Sequence, residues 1–462
     1  MNTIATPPSR PARPPRQYAT VVKMAVIAIL VLLLMIPMVL ISSVLSERLQ
    51  RRDSAIRDIT GTWGDEETIA GPVLIVPYRY SFKTWKEQVV NGRSERVETA
   101  ETAVARAYFL PHSLKIAADL KPSRLHRGIY ETVVYSGTLQ LQGAFAPPSF
   151  DEWNVKPEDV MWDDAVVALG VSDLRGAREA LVVKWGDASF PLVPGWRLGG
   201  FVSGVSARLK GATLPAANVA FSCALTLNGS RGISFAPVGV RNDVSLTSTW
   251  PDPSFRGAFL PTERRISASG FEARWQVSYY GRSYPQQWTD QNDTAPFTKS
   301  SMEASLFGVD LVSVVDSYRF VERSIKYGAL FIALIFTTFF LFEVLARVRI
   351  HPFQYTLVGA ALCLFYLALL SLSEFMSFGA SYLAGAAAAS LMVTLYSFKV
   401  LGSGARSLVV MVGLAVIYTF LYVILRLQDY SLLLGTAGLF LVLGIVMYVT
   451  RNIDWYARDR EG

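Results

Sequence analysis

Chemistry in a protein needs a few residue types at the right spacing, and this 462-residue chain offers few of them. Its histidines are His112, His126 and His351, and its cysteines are Cys223 and Cys363. A catalytic zinc draws on patterns such as H-E-x-x-H, and none occurs. No G-x-S-x-G turn presents a serine nucleophile, and no G-x-x-x-x-G-K-[ST] loop cradles a phosphate. Gly199-Gly200 lacks the strand and helix context of a phosphate site. The acidic cluster Glu158, Asp159, Asp163 and Asp164 reads as a solvated face rather than a metal site. The sequence therefore predicts no catalytic, cofactor-binding or metal-binding residue, and no enzyme. The informative ionisable groups are Glu343, Arg347 and Glu374, which lie in or against long apolar runs where charge is costly. Glu343 stands four residues before Arg347, the favourable orientation for an ion pair along a helix. The alternative makes Glu343 a buried anchor between helices. Glu374 closes its run and can reach water from the helix end. All three are expected to hold structure rather than to move ions.

The elements that carry these charges are apolar runs at 327–345, 355–372, 380–398, 408–425 and 432–449, with a further run at 24–45. Each reaches the length of about 17–25 residues that a helix needs to cross a bilayer. None shows a hydrophilic face at helical period, so a soluble amphipathic bundle fits poorly. The expected fold is a membrane protein of six transmembrane helices, one plus five, with a large all-β domain between the first and second. Composition agrees: 51% of residues are hydrophobic and 18% charged, below the roughly 25% charged of soluble domains. The net charge of +7 comes without a basic patch interleaved with aromatics, which argues against nucleic acid. The two cysteines, one in the insert and one in a helix, are not expected to pair.

Basic residues set the orientation. Arg10, Arg13, Arg16 and Lys23 precede the first helix, and Arg347 with Arg349 lie between helices 2 and 3. Lys399 and Arg406 follow helix 4, and Arg451, Arg458 and Arg460 follow helix 6. The alternate breaks hold Glu374, and Arg426 beside Asp429. Lys and Arg concentrate on the cytoplasmic side, so both termini are expected there. Residues 1–23 form a disordered basic tail, 24–45 an uncleaved anchor, 46–326 an extracytoplasmic (periplasmic) domain, 327–449 the five-helix bundle and 450–462 a cytoplasmic tail. Tyr327, Tyr355, Tyr382, Tyr430, Tyr448 and Trp455 mark run ends as an interfacial belt.

Within the insert, 46–60 continues the first helix and 73–78 starts the first strand. Period-two alternation then marks strands at 102–110, 114–120, 132–141, 181–185, 219–227, 243–250 and 271–280, a β-sandwich pattern. Asn91-Gly92, Asn228-Gly229 and Gly281-Arg282 read as turns, and 155–171 as holding one short helix. Phe109-Leu110-Pro111 echoes in Phe259-Leu260-Pro261, and Pro148-Ser149-Phe150 in Pro253-Ser254-Phe255. The two echoes have different offsets, so both cannot belong to one duplication.

These pieces, taken together, resemble the inner-membrane CreD family associated with cell-envelope integrity. The resemblance is carried by Gly71-Pro72-Val73-Leu74, Val76-Pro77-Tyr78, Trp250-Pro251-Asp252-Pro253-Ser254-Phe255 and Phe307-Gly308-Val309. Glu322-Arg323, Lys326-Tyr327, Phe339-Phe340-Leu341-Phe342-Glu343, His351-Pro352-Phe353-Gln354-Tyr355 and Leu372-Ser373-Glu374 continue it, as does Thr450-Arg451-Asn452-Ile453-Asp454-Trp455-Tyr456. The family tends to place a histidine after the Ser-Glu, where this chain has Phe375. The resemblance implies a link to envelope stress under a two-component regulator and to tolerance of colicins and β-lactams, and brings no catalytic residues. The expected function is non-enzymatic: an inner-membrane protein whose β domain binds a periplasmic protein or envelope ligand, with the bilayer as its other partner. A transporter or lipid-handling role for the bundle is the alternative. Such a role calls for paired mid-membrane charges, broken helices or an inverted repeat.

Overall fold

The computed structural model describes residues 19–90, 93–177, 180–195, 203–212, 215–291, 296–311, 317–345, 350–427 and 430–451. The basic N-terminal tail to residue 18, the Asn91-Gly92 pair, Gly199-Gly200, Arg347, Arg349, Asp429 and the tail from 452 lie outside the described residues. The chain divides into two compact units, Met1–Arg51 with Val315–Gly462, and Arg52–Val314.

Helix α1 spans Ala19–Trp63, 45 residues, and so continues well past its apolar stretch at 24–45. Beyond it, β1 (Glu67–Val90) and β2 (Arg93–Phe109) form a long hairpin, then β3 (Ser113–Arg127) and β4 (Tyr130–Phe145) a second. The chain goes on through β5 (Val166–Val171), β6 (Val182–Trp185), β7 (Ala188–Pro191), β8 (Val193–Pro194), β9 (Gly204–Arg208) and β10 (Val219–Ser230). Then come β11 (Gly232–Phe235), β12 (Arg241–Ser248), β13 (Pro253–Gly257), β14 (Glu263–Ser267), β15 (Gly270–Ser278), β16 (Gln287–Thr289), the short helix α2 (Lys299–Glu303) and β17 (Phe307–Leu311).

The strands make two sheets. The first runs β13-β17-β11-β1-β5-β9-β8, with β2 on the distal half of β1 and β16 on β2. The second runs β14-β15-β12-β3-β4-β10-β6-β7. Both are mixed, with parallel pairs β1–β11 and β3–β12. Alternation decides which face is buried. On β3, Leu114, Ile116, Ala118 and Leu120 turn inward, while Lys115 and Asp119 face solvent. One apolar core takes residues from both sheets: Val73, Leu74, Val167 and Phe235 from the first, Ile116, Leu141, Leu225 and Trp275 from the second. That is a sandwich-like β unit.

One local reading is corrected and two are refined. Residues 155–171 hold two short 3-10 helices in place of the one short helix expected. These are Pro157–Asp159 and Trp162–Asp164, and strand β5 follows, because Pro157 starts a tight turn and the apolar run after Ala165 is wanted in the sheet. Asn228-Gly229 is not a turn but sits inside β10, opposite Ser136 and Tyr135 of β4. The chain changes sheet two residues later at Arg231, whose φ of 61° supplies the bend. The two sequence echoes are not equivalent either. Phe109-Leu110-Pro111 and Phe259-Leu260-Pro261 both lead from a strand of the first sheet into a hairpin of the second, β3–β4 and β14–β15. Pro253-Ser254-Phe255 lies on β13, whereas Pro148-Ser149-Phe150 is irregular.

The helical unit adds α3 (Ser317–Lys326), α4 (Gly328–Leu345), α5 (Pro352–Leu372), α6 (Phe378–Leu401), α7 (Gly404–Arg426) and α8 (Ser431–Thr450) to the first part of α1. Among the described residues, five helices are long and apolar enough to cross a membrane, or six if α3 and α4, bent by 48° at their junction, are one span. The inward positions of α1 are Leu34, Met38, Ile41 and Leu45, one stripe at helical spacing. Its outward positions, among them Leu32, Ile36 and Leu40, are exposed as lipid-facing residues should be. Glycines let helices approach closely: a Cβ on Gly359 would overlap Leu34, and one on Gly328 would overlap Met38. Helix α6 turns Gly385, Ala386 and Ala389 inward, and Gly385 packs on the ring of Phe365. Both cysteines are buried free thiols.

Candidate functional site

Charged side chains gather at two places in the helical unit. Near one end of α1, the Lys23 ammonium pairs with Glu343 of α4 and also donates to the carbonyl of Ile350 at 3.0 Å. The Tyr355 hydroxyl of α5 donates to the other Glu343 oxygen at 3.2 Å. Glu343 therefore joins three helices and is buried. Arg347, expected beside it, lies outside the described residues. Farther along α1, Arg48 Nε lies 3.6 Å from Glu374, just past α5. The Tyr318 hydroxyl of α3 donates to the same carboxylate oxygen at 3.2 Å. From Lys23 to Arg48 a helix rising 1.5 Å per residue advances about 38 Å, more than a hydrocarbon core of about 30 Å. The two ionic contacts thus bracket an apolar stretch of bilayer thickness. Both partners on α1 escaped the sequence reading, which looked for cations close in sequence. The usable signal was that Lys23 opens the first apolar run and Glu343 ends the second, so antiparallel crossing brings them to one level.

Between these ends the helical unit is aromatic. The Tyr382 hydroxyl donates to the Tyr418 carbonyl at 2.7 Å, and Phe365 contacts Tyr366, Tyr382 and Tyr418 edge-on or tilted. These contacts tie α5, α6 and α7 together and offer no nucleophile or ionisable pair.

The β unit carries a large concave surface, a trough of about 880 Å³ on the outer face of the second sheet. Its floor follows from register. Gln276, Asp243, Lys115, Gln142, Ser222 and Lys184 stand side by side on six adjacent strands, β15 to β6. In the next row, Ser278, Arg241, Ser113, Ala144 and Ala220 are aligned in the same way. Short side chains at Ser113, Ala144, Ala220 and Gly186 make the depression. Asp243 is held by the Arg274 guanidinium, whose Nε donates at 3.0 Å. Lys115, Lys184 and Arg241 have no ion-pair partner among the described residues, so the trough is positive. The alternate residues Leu114, Phe221 and Val277 point into the core.

A second polar group in this unit is internal. Glu67, at the start of β1, is fully buried, and its carboxylate accepts the Asp173 N–H at 3.3 Å. Burial, reinforced by the charges of Asp173 and Asp65, pushes its carboxyl up to about 9. Asp173 behaves oppositely: burial would raise it, but hydrogen bonds from the Arg175 side chain and backbone hold it below its usual range. The Tyr135 hydroxyl, also buried, donates to the Gly232 carbonyl at 2.9 Å and is pushed up by burial and by Glu67. No cluster of three or more His, Cys, Asp and Glu placed to hold a metal occurs among the described residues. None of these groups assembles a nucleophile with a base.

Comparison with known proteins places the chain in context. A family model described as "Inner membrane protein CreD" matches residues 19–456. The chain is 31% identical over 420 residues to Inner membrane protein CreD of Escherichia coli (strain K12), covering 91% of this chain and 90% of the relative. Among solved structures, an M1 zinc metallopeptidase from Deinococcus radiodurans aligns over 36% of this chain and 38% of its own, at 8% identity and a TM-score of 0.18. A likeness that slight carries neither fold nor activity.

Proposed function

The chain belongs to the CreD family of inner membrane proteins, and from that premise we propose that it is a non-enzymatic, multi-pass protein serving cell-envelope integrity. In this reading both termini are cytoplasmic, and the β unit lies in the periplasm and binds an envelope component. One observation carries the reading: the large, positive, open trough is on the β unit, whereas the charges of the helical unit are tied up at helix ends. Positive-inside loops support the orientation. A role in the envelope stress response fits the same placement.

Transport or lipid handling through the helices is the competing reading, and the 48° bend between α3 and α4 is the feature that favours it. The bend lies at the start of an apolar run rather than midway along one. The Lys23–Glu343 and Arg48–Glu374 pairs stand about a bilayer thickness apart, where their role is to fix helices.

The placement is tested by labelling whole cells with a membrane-impermeant maleimide. The native cysteines are buried, so background is low. Ile129→Cys, exposed at the β3–β4 turn, should react, and a cysteine appended after Gly462 should not. Reversed labelling overturns the proposal. Cells lacking the protein should also admit more of an envelope-excluded dye, and plasmid-borne wild type should reverse that.

A further inference from the structure

We propose that the trough on the second sheet is a binding site for an extended anionic oligosaccharide. The assignment rests on the reading that the β unit faces the envelope, and it names the class of ligand. Charge comes first. Lys115, Lys184 and Arg241 are exposed and unpaired among the described residues, and the one nearby carboxylate, Asp243, is neutralised by Arg274. Cations left unpaired in a concave surface draw anions. The spacing sets the shape of the ligand. Lys115 and Lys184 occupy one row, three strands apart, about 14 Å at 4.8 Å per strand. Arg241 stands one strand on the other side of Lys115, on the neighbouring row. A single small anion cannot satisfy all three, whereas an oligomer lying across the strands can.

The groups between the cations select a sugar over a peptide. Gln142 and Ser222 lie between Lys115 and Lys184, and Gln276 ends the row beyond Asp243; their amide and hydroxyl groups each donate and accept, which suits a hydroxyl-rich chain. A peptide strand would need a free sheet edge for main-chain pairing. The floor is the middle of the sheet: β3, β4 and β10 are bonded to strands on both sides. Of the large apolar residues along the trough, Leu114, Phe221 and Val277 are buried in the core beneath it and offer no exposed anchor for a peptide or an acyl chain.

The test uses the detergent-solubilised full chain and three hexamers: hexagalacturonate, neutral maltohexaose and hexaglutamate. Calorimetry should show one saturable site for hexagalacturonate, weakened by salt, and none for maltohexaose. Lys115→Gln with Lys184→Gln should weaken binding by roughly tenfold or more. Ala220→Trp, on an exposed position, should fill the trough and abolish binding. Should that variant melt early, the Lys115→Gln, Lys184→Gln pair decides. The assignment is overturned by absence of saturable binding, by binding that ignores both variants, or by hexaglutamate binding as tightly. These results do not depend on compartment. Binding together with reversed labelling would leave the site and sink the periplasmic placement, and the converse would do the opposite.

Discussion

Lys23 and Glu343 are 320 residues apart in sequence and form an ion pair that ties α1 to α4. Glu343 is nearly enclosed and also holds the Tyr355 hydroxyl. Removing one member of such a pair leaves the other desolvated, which costs more than the pair contributes. Glu343→Gln and Lys23→Gln are each expected to lower the stability of the detergent-solubilised protein by about 1–3 kcal/mol, part of the full penalty because Lys23 keeps some solvent access. The double variant should cost clearly less than the sum of the singles, and thermal melts of all four proteins measure that coupling. Strict additivity would refute the pair.

At the other end of α1 the same logic applies in milder form. From its own short loop Glu374 has no cation to meet, and its loss would be nearly silent. In the folded protein it receives the Tyr318 hydroxyl and lies 3.6 Å from Arg48, with little exposure of its own side chain. Glu374→Gln should therefore cost about 1 kcal/mol, and Tyr318→Phe less, since Arg48 remains exposed enough to be screened. Insertion and accumulation should stay normal. A correctly inserted Glu374→Gln protein that fails to restore the envelope barrier would give Glu374 a working role and revive the transport reading.

These two contacts show where the sequence was legible and where it was not. The membrane helices announce themselves by the length of their apolar runs, because lipid excludes charge along a whole span, and the strands by period, because the core claims alternate residues. Strands β3, β4, β10, β12 and β15 follow the alternation closely. Partners across hundreds of residues leave no such trace. Lys23 looks like one more basic residue of a cytoplasmic flank until α4 stands beside α1. The trough is equally hidden, since Lys115, Lys184 and Arg241 are scattered in sequence and meet only through strand register. Asn228-Gly229 misled because the pair signals a turn by composition, whereas Gly229 is needed for space.

Glu67 makes stability depend on pH with a definite sign. Its carboxyl is protonated in the folded protein up to about 9 but ionises near 4.5 once unfolded. Between those values the folded state binds the extra proton, so stability is fully present below 4.5 and is lost as pH rises toward 9. The slope is at most about 1.4 kcal/mol per pH unit for one group. Asp173, held low, acts in the opposite sense only as pH falls through its folded value. Urea unfolding of the β unit in the full chain, followed by tryptophan fluorescence from about pH 6 to about pH 8.5, should show a falling midpoint. Glu67→Gln keeps the neutral shape and should flatten that fall. A midpoint that does not move, or that moves alike in both proteins, would count against a buried neutral Glu67.

Gly229 provides the sharpest packing test. It lies in β10 opposite Tyr135, and a Cβ there would overlap the Tyr135 ring and hydroxyl and crowd the Glu67 side chain. Neither neighbour has room to retreat: Tyr135 is fully buried with its hydroxyl fixed on Gly232, and Glu67 is fully buried. Gly229→Ala should therefore destabilise the β unit by about 2–3 kcal/mol, the range of an overpacked core. Gly128 is the contrasting case. It sits in the β3–β4 turn at φ +64°, with open space where a methyl group would stand, so Gly128→Ala meets backbone strain alone, about 1 kcal/mol. The two variants compared by the same urea titration separate space from conformation. If Gly229→Ala unfolds no more easily than Gly128→Ala, Tyr135 is not held against Gly229, and the close approach that displaced the expected turn is wrong.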